Sequence, residues 1–155
     1  MPHQFTNGFK IIGIATRTSN QNHQSQADLG KLWTRFFSEN IIEKIPNKGS
    51  FEIISLYTDY KSNFTDEYTT IIGLPVSTLD EIPAGMVGRE FQAEHFQTFT
   101  AQGEMPKAVV DTWATIWEKD NELNRKYAYD FEVYGEKSQR GSASEVDIYL
   151  SIKSQ

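Results

Sequence analysis

Strand-like and helix-like periodicities follow one another in this chain in an order that repeats: strand, helix, strand, strand, and then the same four again. One such unit would leave a sheet face and a helix stripe uncovered, so the two are expected to pack around one core. A pair of strands after each helix favours hairpins, which selects an α+β fold: an antiparallel sheet carrying two helices rather than a parallel, doubly wound one. The repetition is one of order and not of residue identity. At 155 residues the chain fits a single domain, spanning 1–155, with half-repeats at approximately 9–76 and 87–153.

The first half opens with Phe9 to Arg17 (FKIIGIATR), an Ile-rich strand in which Gly13 reads as a close backbone approach. A polar loop, Thr18 to Gln24, leads to Ser25 and Asp28, spaced as a weak capping box. Helical spacing then runs through Leu29, Leu32, Trp33, Phe36, Phe37 and Ile41. Pro46 to Ser50 ends that helix, and Phe51 to Tyr60 and Glu67 to Val76 read as a hairpin joined by KSNFTD. The connection Ser77 to Gly85 falls near mid-chain. In the second half, one long strand is expected from Val87 to Thr100, with Pro106 in the first turn of the next helix. Val109, Trp113, Ile116 and Trp117 repeat at helical spacing, and that helix should end near Asn121 to Asn124. Tyr129 to Lys137 and Glu145 to Lys153 complete the set, separated by SQRGSAS.

Composition removes several function classes. No cysteine is present, which excludes disulfides, thiolate metal sites and a cysteine nucleophile, and a cytoplasmic location is the expectation. The segment MPHQFTNGFK lacks a signal-like apolar run, and nothing approaches the roughly 18 apolar residues of a membrane span. With 21 acidic against 15 basic residues and a net charge of −6, no direct nucleic-acid partner is expected. Neither a phosphate-binding glycine loop nor a nucleophile elbow occurs, and no cofactor or metal is anticipated. His95 is a lone histidine in a strand, while His3 and His23 sit in polar loops. Aromatic residues reach 13%, enough to furnish either a core or a flat apolar ligand site.

The stretch Asp130 to Glu136 (DFEVYGE) puts a carboxylate into an alternating strand. Phe131 and Val133 point one way, and Asp130, Glu132 and Tyr134 the other. Facing water, Glu132 is an ordinary surface charge; lining an aromatic cleft, it is a buried anion in need of a cation. The alternation leaves both open.

Taken together, IIGIATRTSN, LWTRFF, SLYTDY with EYTTIIG, IPAGMVGREF, DTWATIW, FEVYGE and VDIYLSIK, in this order from about Phe9 to Lys153, resemble the GyrI-like effector-binding domains of AraC-type and MerR-type transcription activators. The resemblance implies a duplicated strand-helix-strand-strand fold with a pseudo-twofold cleft, aromatic and carrying an acidic residue that meets lipophilic cations. Glu132 occupies the matching place. No helix-turn-helix segment accompanies the domain in this sequence, so the resemblance is to stand-alone members, among them ligand sequesterers, topoisomerase inhibitors and hydrolases of cyclopropane-bearing genotoxins. The expected ligand-binding set is Trp33, Tyr57, Tyr68, Trp113, Glu132 and Tyr149, with core packing as the competing role for Trp33 and Trp113 and cross-strand packing for Tyr57 and Tyr68. Of Trp113 and Trp117, one should pack and one reach the cleft, while Glu90, Glu94 and Glu136 are read as solvated. The first reading is a small-molecule binder for a lipophilic cation, with a separate protein partner as an option. A hydrolase using Glu132 as base and Tyr57 as hydrogen-bond donor, and a protein inhibitor of a topoisomerase, are the alternatives.

Overall fold

A computed structural model describes residues 8–153, so His3 lies outside the described residues, as does the side chain of His23. Among the described residues, seven strands form one sheet in which every pairing is antiparallel: β1 (Phe9–Ser19), β2 (Ile53–Thr58), β3 (Glu67–Val76), β4 (Val87–Phe91), β5 (His95–Gln102), β6 (Arg125–Tyr134) and β7 (Glu145–Ile152). Helices α1 (Gln24–Ser38), α2 (Ile41–Lys44) and α3 (Lys107–Glu118) complete the α+β architecture expected from the sequence. The strand order β4-β1-β3-β2-β6-β7-β5 places β1-β3-β2 of the first half against the reversed series β6-β7-β5 of the second. A pseudo-twofold axis therefore runs between β2 and β6, where Ser55 pairs with Glu132 and Leu56 with Phe131.

The single long strand expected over Val87 to Thr100 is instead two, and they lie at opposite edges of the sheet. Only Gln92, Ala93 and Glu94 separate them. Three linking residues span at most ~14 Å, whereas the edges of a flat sheet of seven strands would stand ~29 Å apart. The sheet must therefore curl until its edges approach. Aromatic contacts report the same curvature: Phe9 on β1 meets Phe131 on β6 at 5.2 Å, although β3 and β2 lie between those strands. The concave side encloses Phe9, Phe91, Phe96, Tyr129, Phe131 and Tyr149, and the Tyr129 hydroxyl donates to the Gln92 carbonyl at 2.6 Å.

Both long helices ride on the convex side. Leu32 and Phe36 of α1 pack with Ile12, Ile14, Ile72 and Leu74, and Val109, Trp113 and Ile116 of α3 pack with Ala101, Val146, Ile148 and Leu150. Gly13 lies opposite Gly73 in the β1/β3 register, and a Cβ on Gly13 would come within 2.1 Å of the Ile72 carbonyl oxygen. Helix α1 stops at Ser38 rather than reaching Ile41, because Asn40 takes a left-handed conformation at φ 52°, and Ile41 then begins α2. The expected capping box does not form. Asp28 accepts instead from Thr18 Oγ1 at 2.8 Å and Gln24 Nε2 at 3.2 Å, which ties α1 to β1. Pro106 precedes the first residue of α3, and that helix ends at Glu118 with a 3-10 turn over Asp120–Glu122. Among the described residues, no helix is long and apolar enough to cross a membrane.

Candidate ligand-binding site

Because α1 and α3 sit on separate halves, they leave the strands next to the pseudo-twofold axis uncovered between them. A cavity of about 780 Å³ occupies the gap. Its floor carries Ile53 and Tyr57 from β2, Tyr68 from β3, and Glu132 and Tyr134 from β6, all placed on the helix side by strand alternation. Leu29, Trp33 and Phe37 of α1 form one wall, and Val109, Val110, Trp113 and Trp117 of α3 the other. Phe37 and Val110 are 57% and 51% exposed and flank the mouth. The hairpin loops between β2 and β3 and between β6 and β7 contribute Phe64 from the first and Ser138 and Gln139 from the second.

Five of the six residues singled out from sequence thus line one cavity: Trp33, Tyr57, Tyr68, Trp113 and Glu132. Tyr149 does not. It pairs with Phe131 across β6 and β7 and stacks on that ring at 4.6 Å, so alternation puts it on the concave face, behind the floor. Both Trp113 and Trp117 reach the cavity, where one was expected to. Trp117 stacks on Phe64 at 5.3 Å with the rings 4° from parallel, and Trp33 meets the edge of Tyr134 at 5.1 Å. The surface glutamates divide: Glu90 and Glu136 are exposed, and Glu94 is half-buried in an ion pair with Lys126 at 2.7 Å.

Glu132 is only 2% exposed. Its Oε2 accepts from the Tyr57 hydroxyl at 2.8 Å and from Trp113 Nε1 at 2.6 Å, and its Oε1 from the Tyr134 hydroxyl at 2.5 Å. All three donors are neutral, and among the described residues no Lys, Arg or His forms a salt bridge with it. Burial pushes the carboxyl above its ordinary pKa, opposed by the three hydrogen bonds. The same enclosure pushes the Tyr57 and Tyr134 phenols well up, and Tyr68 up to about 12, so all stay protonated.

Sequence reasoning missed a second polar cluster, two residues away on β6. Asp130 is fully buried and pairs with Arg125 Nη2 at 2.6 Å, while accepting from the Tyr60 hydroxyl and from the Ser151 amide at 2.9 Å. Arg125 Nη1 reaches Asp120 at 3.1 Å, and the guanidinium lies over Tyr127 at 4.2 Å and faces Trp113 at 5.9 Å. A break in register between Arg125 and Asp130, where Tyr127 adopts φ 61°, brings the two side chains together. Arg125 Nε is buried without a hydrogen-bond acceptor, which costs about 1–3 kcal/mol if nothing else supplies one. Arg125 and Tyr60 also line the cavity.

Several known proteins share this architecture. The family described as Cass2, integron-associated effector binding protein, matches residues 5–152. The solved Vibrio cholerae integron cassette protein VCH_CASS2 is 29% identical with a TM-score of 0.73, over 95% of this chain and 92% of its own. The structure of SAV2435 bound to tetraphenylphosphonium is similar in fold, with a TM-score of 0.76 at 20% identity over 94% of this chain and 89% of that one. YobU of Bacillus subtilis (strain 168), named as a candidate transcriptional regulator, is 27% identical over 150 residues, covering 93% of this chain and 92% of its own length.

Proposed function

The chain belongs to the integron-associated effector binding proteins, a small-molecule-binding family, and from that premise we propose that its cavity receives lipophilic organic cations with Glu132 as their counter-charge. The observation that carries this reading is a buried carboxylate held by three neutral donors, in no salt bridge with a cation among the described residues, inside an aromatic cavity. Such a site is electrostatically incomplete. A cation that brings its own apolar surface supplies the missing charge, gains hydrophobic burial, and finds the faces of Trp33, Trp113 and Tyr57 within reach. That SAV2435 was solved with tetraphenylphosphonium supports the choice of ligand class. Sequestration, or sensing relayed to a separate partner, would both use such a site.

The contact between Tyr57 and Glu132 favours one rival, hydrolysis of a strained electrophile with Glu132 as base. Three of the carboxylate's roughly four lone-pair sites are already engaged, which leaves little room to hold an attacking water. Titrating the protein with tetraphenylphosphonium while following tryptophan quenching tests the binder. Saturable binding that Glu132→Gln weakens is expected, with electrophile panels returned unchanged by mass. Turnover abolished by Glu132→Gln and reduced by Tyr57→Phe would overturn it.

A further inference from the structure

Two charged side chains line the cavity among the described residues, and they are of opposite sign: Glu132 and Arg125. Trp113 touches both, its Nε1 edge on the Glu132 carboxylate and its ring face toward the Arg125 guanidinium. One indole therefore links the two poles, with the carboxylate at its edge and the guanidinium over its face. The arginine is not a second anion site, because Asp130 and Asp120 already neutralise it. What it retains is one unused donor, the Nε–H, in a side chain only 1% exposed, so a ligand oxygen reaches it when the side chains packed over it shift aside. Neighbouring acceptors are committed elsewhere: the Asp130 oxygens to Arg125 Nη2, the Ser151 amide and Tyr60, and Asp120 Oδ1 to Arg125 Nη1 and the Tyr127 hydroxyl.

We infer that the cavity reads a second group on its ligand, a neutral hydrogen-bond-accepting oxygen of the carbonyl or ether kind, received by Arg125 Nε–H beside the face of Trp113 whose Nε1 edge holds Glu132. This rests on the proposed cation site and narrows its ligand to lipophilic cations that carry an oxygen acceptor a few bonds from the charge. A purely hydrocarbon cation satisfies one pole. An oxygen-bearing cation satisfies both, and it is oriented by them, since only its charged end completes Glu132 and only its oxygen accepts from Arg125 Nε–H.

Three probes separate the two claims: tetraphenylphosphonium, an ethoxycarbonylpropyl triphenylphosphonium, and its heptyl counterpart of similar length. Hydrophobic burial alone favours the heptyl compound. A hydrogen bond from the buried guanidinium reverses that order, with the ester binding about tenfold tighter. The preference should vanish in Arg125→Lys, which keeps the charge but lacks the Nε–H. Glu132→Gln should weaken all three compounds together. The arginine Nε–H proton resonance best protected from solvent exchange should move downfield with the ester and stay in place with the heptyl compound. This reading decides the matter in the unaltered protein should Arg125→Lys fold poorly. Tetraphenylphosphonium binding accompanied by equal or tighter heptyl binding and an unmoved resonance overturns the inference and leaves the cation site standing. No binding of any of the three phosphonium cations overturns both.

Discussion

Lowering the pH toward the range in which Glu132 takes up a proton should weaken cation binding at a rate fixed by one group. Burial raises the carboxyl above its ordinary value of 4.5, and the hydrogen bonds from Tyr134, Tyr57 and Trp113 oppose this only in part. A bound cation favours the ionised form and draws the pKa back down. Between the bound-site and empty-site values binding expels one proton, so affinity falls about tenfold for each pH unit of acidification, and it is level above that window. The folding contribution has the opposite sense. With the folded-state pKa raised, the empty site destabilises the protein above that pKa, and the penalty is relieved as pH falls through it toward the unfolded value. Relative to Glu132→Gln, the empty protein should therefore gain thermal stability over the same interval in which it loses the cation. The phosphorus of tetraphenylphosphonium, beneath its phenyl rings, approaches a carboxylate to roughly 6 Å, which at an effective dielectric near 20 gives ~3 kcal/mol, about a hundredfold in affinity. Glu132→Gln isolates that contribution, since the amide oxygen can keep the Tyr57 and Trp113 donors while the Tyr134 hydroxyl turns to accept from the amide nitrogen. Calorimetry at successive pH values, in two buffers of different ionisation enthalpy, counts the protons released. Equal affinity of the wild type and Glu132→Gln at neutral pH, or no proton release anywhere in the acid range, would refute the counter-charge assignment.

Four further predictions accompany it. Asp130→Ala leaves the Arg125 charge buried with only Asp120 to meet it and should cost about 3–5 kcal/mol in urea unfolding. Gly13→Ala drives a Cβ against the Ile72 carbonyl and should cost about 3 kcal/mol, whereas Gly30→Ala, with nothing within 4 Å and a mid-helix position on α1, should gain about 0.8 kcal/mol. Tyr149→Phe should leave tetraphenylphosphonium affinity within about twofold, because its ring lies behind the cavity floor. A larger loss would mean that the two faces of the sheet are coupled.

What could be read in advance followed from local period, and what could not followed from closure of the sheet. Alternation along DFEVY assigns Glu132 and Tyr134 to the face opposite Phe131 and Val133, and helical spacing puts Trp33 and Trp113 on the inner stripes of α1 and α3, so most of the cavity is visible in two short-range periods. The same arithmetic would have excluded Tyr149, had the register of β6 against β7 been known, but a hairpin with ten intervening residues does not fix its own register. The division of Val87 to Gln102 into two edge strands is of another kind. Its cause is the curl that brings β4 and β5 within a three-residue link, and no window of sequence carries that curl. Arg125 was hidden for a related reason. It reaches Asp130 only through the break in register around Tyr127, where an aromatic residue takes a conformation that local propensity disfavours. That the strained residue also lays its ring over the guanidinium, at 4.2 Å, and donates to Asp120 gives the strain a purpose in structural terms: it holds a buried arginine in place at one end of the cavity. Among the described residues, the acid that sequence periodicity could find forms no salt bridge with a protein cation, and the arginine that it could not find keeps its Nε–H without an acceptor. In the proposed reading, a ligand that supplies both groups completes what the protein leaves short at each pole.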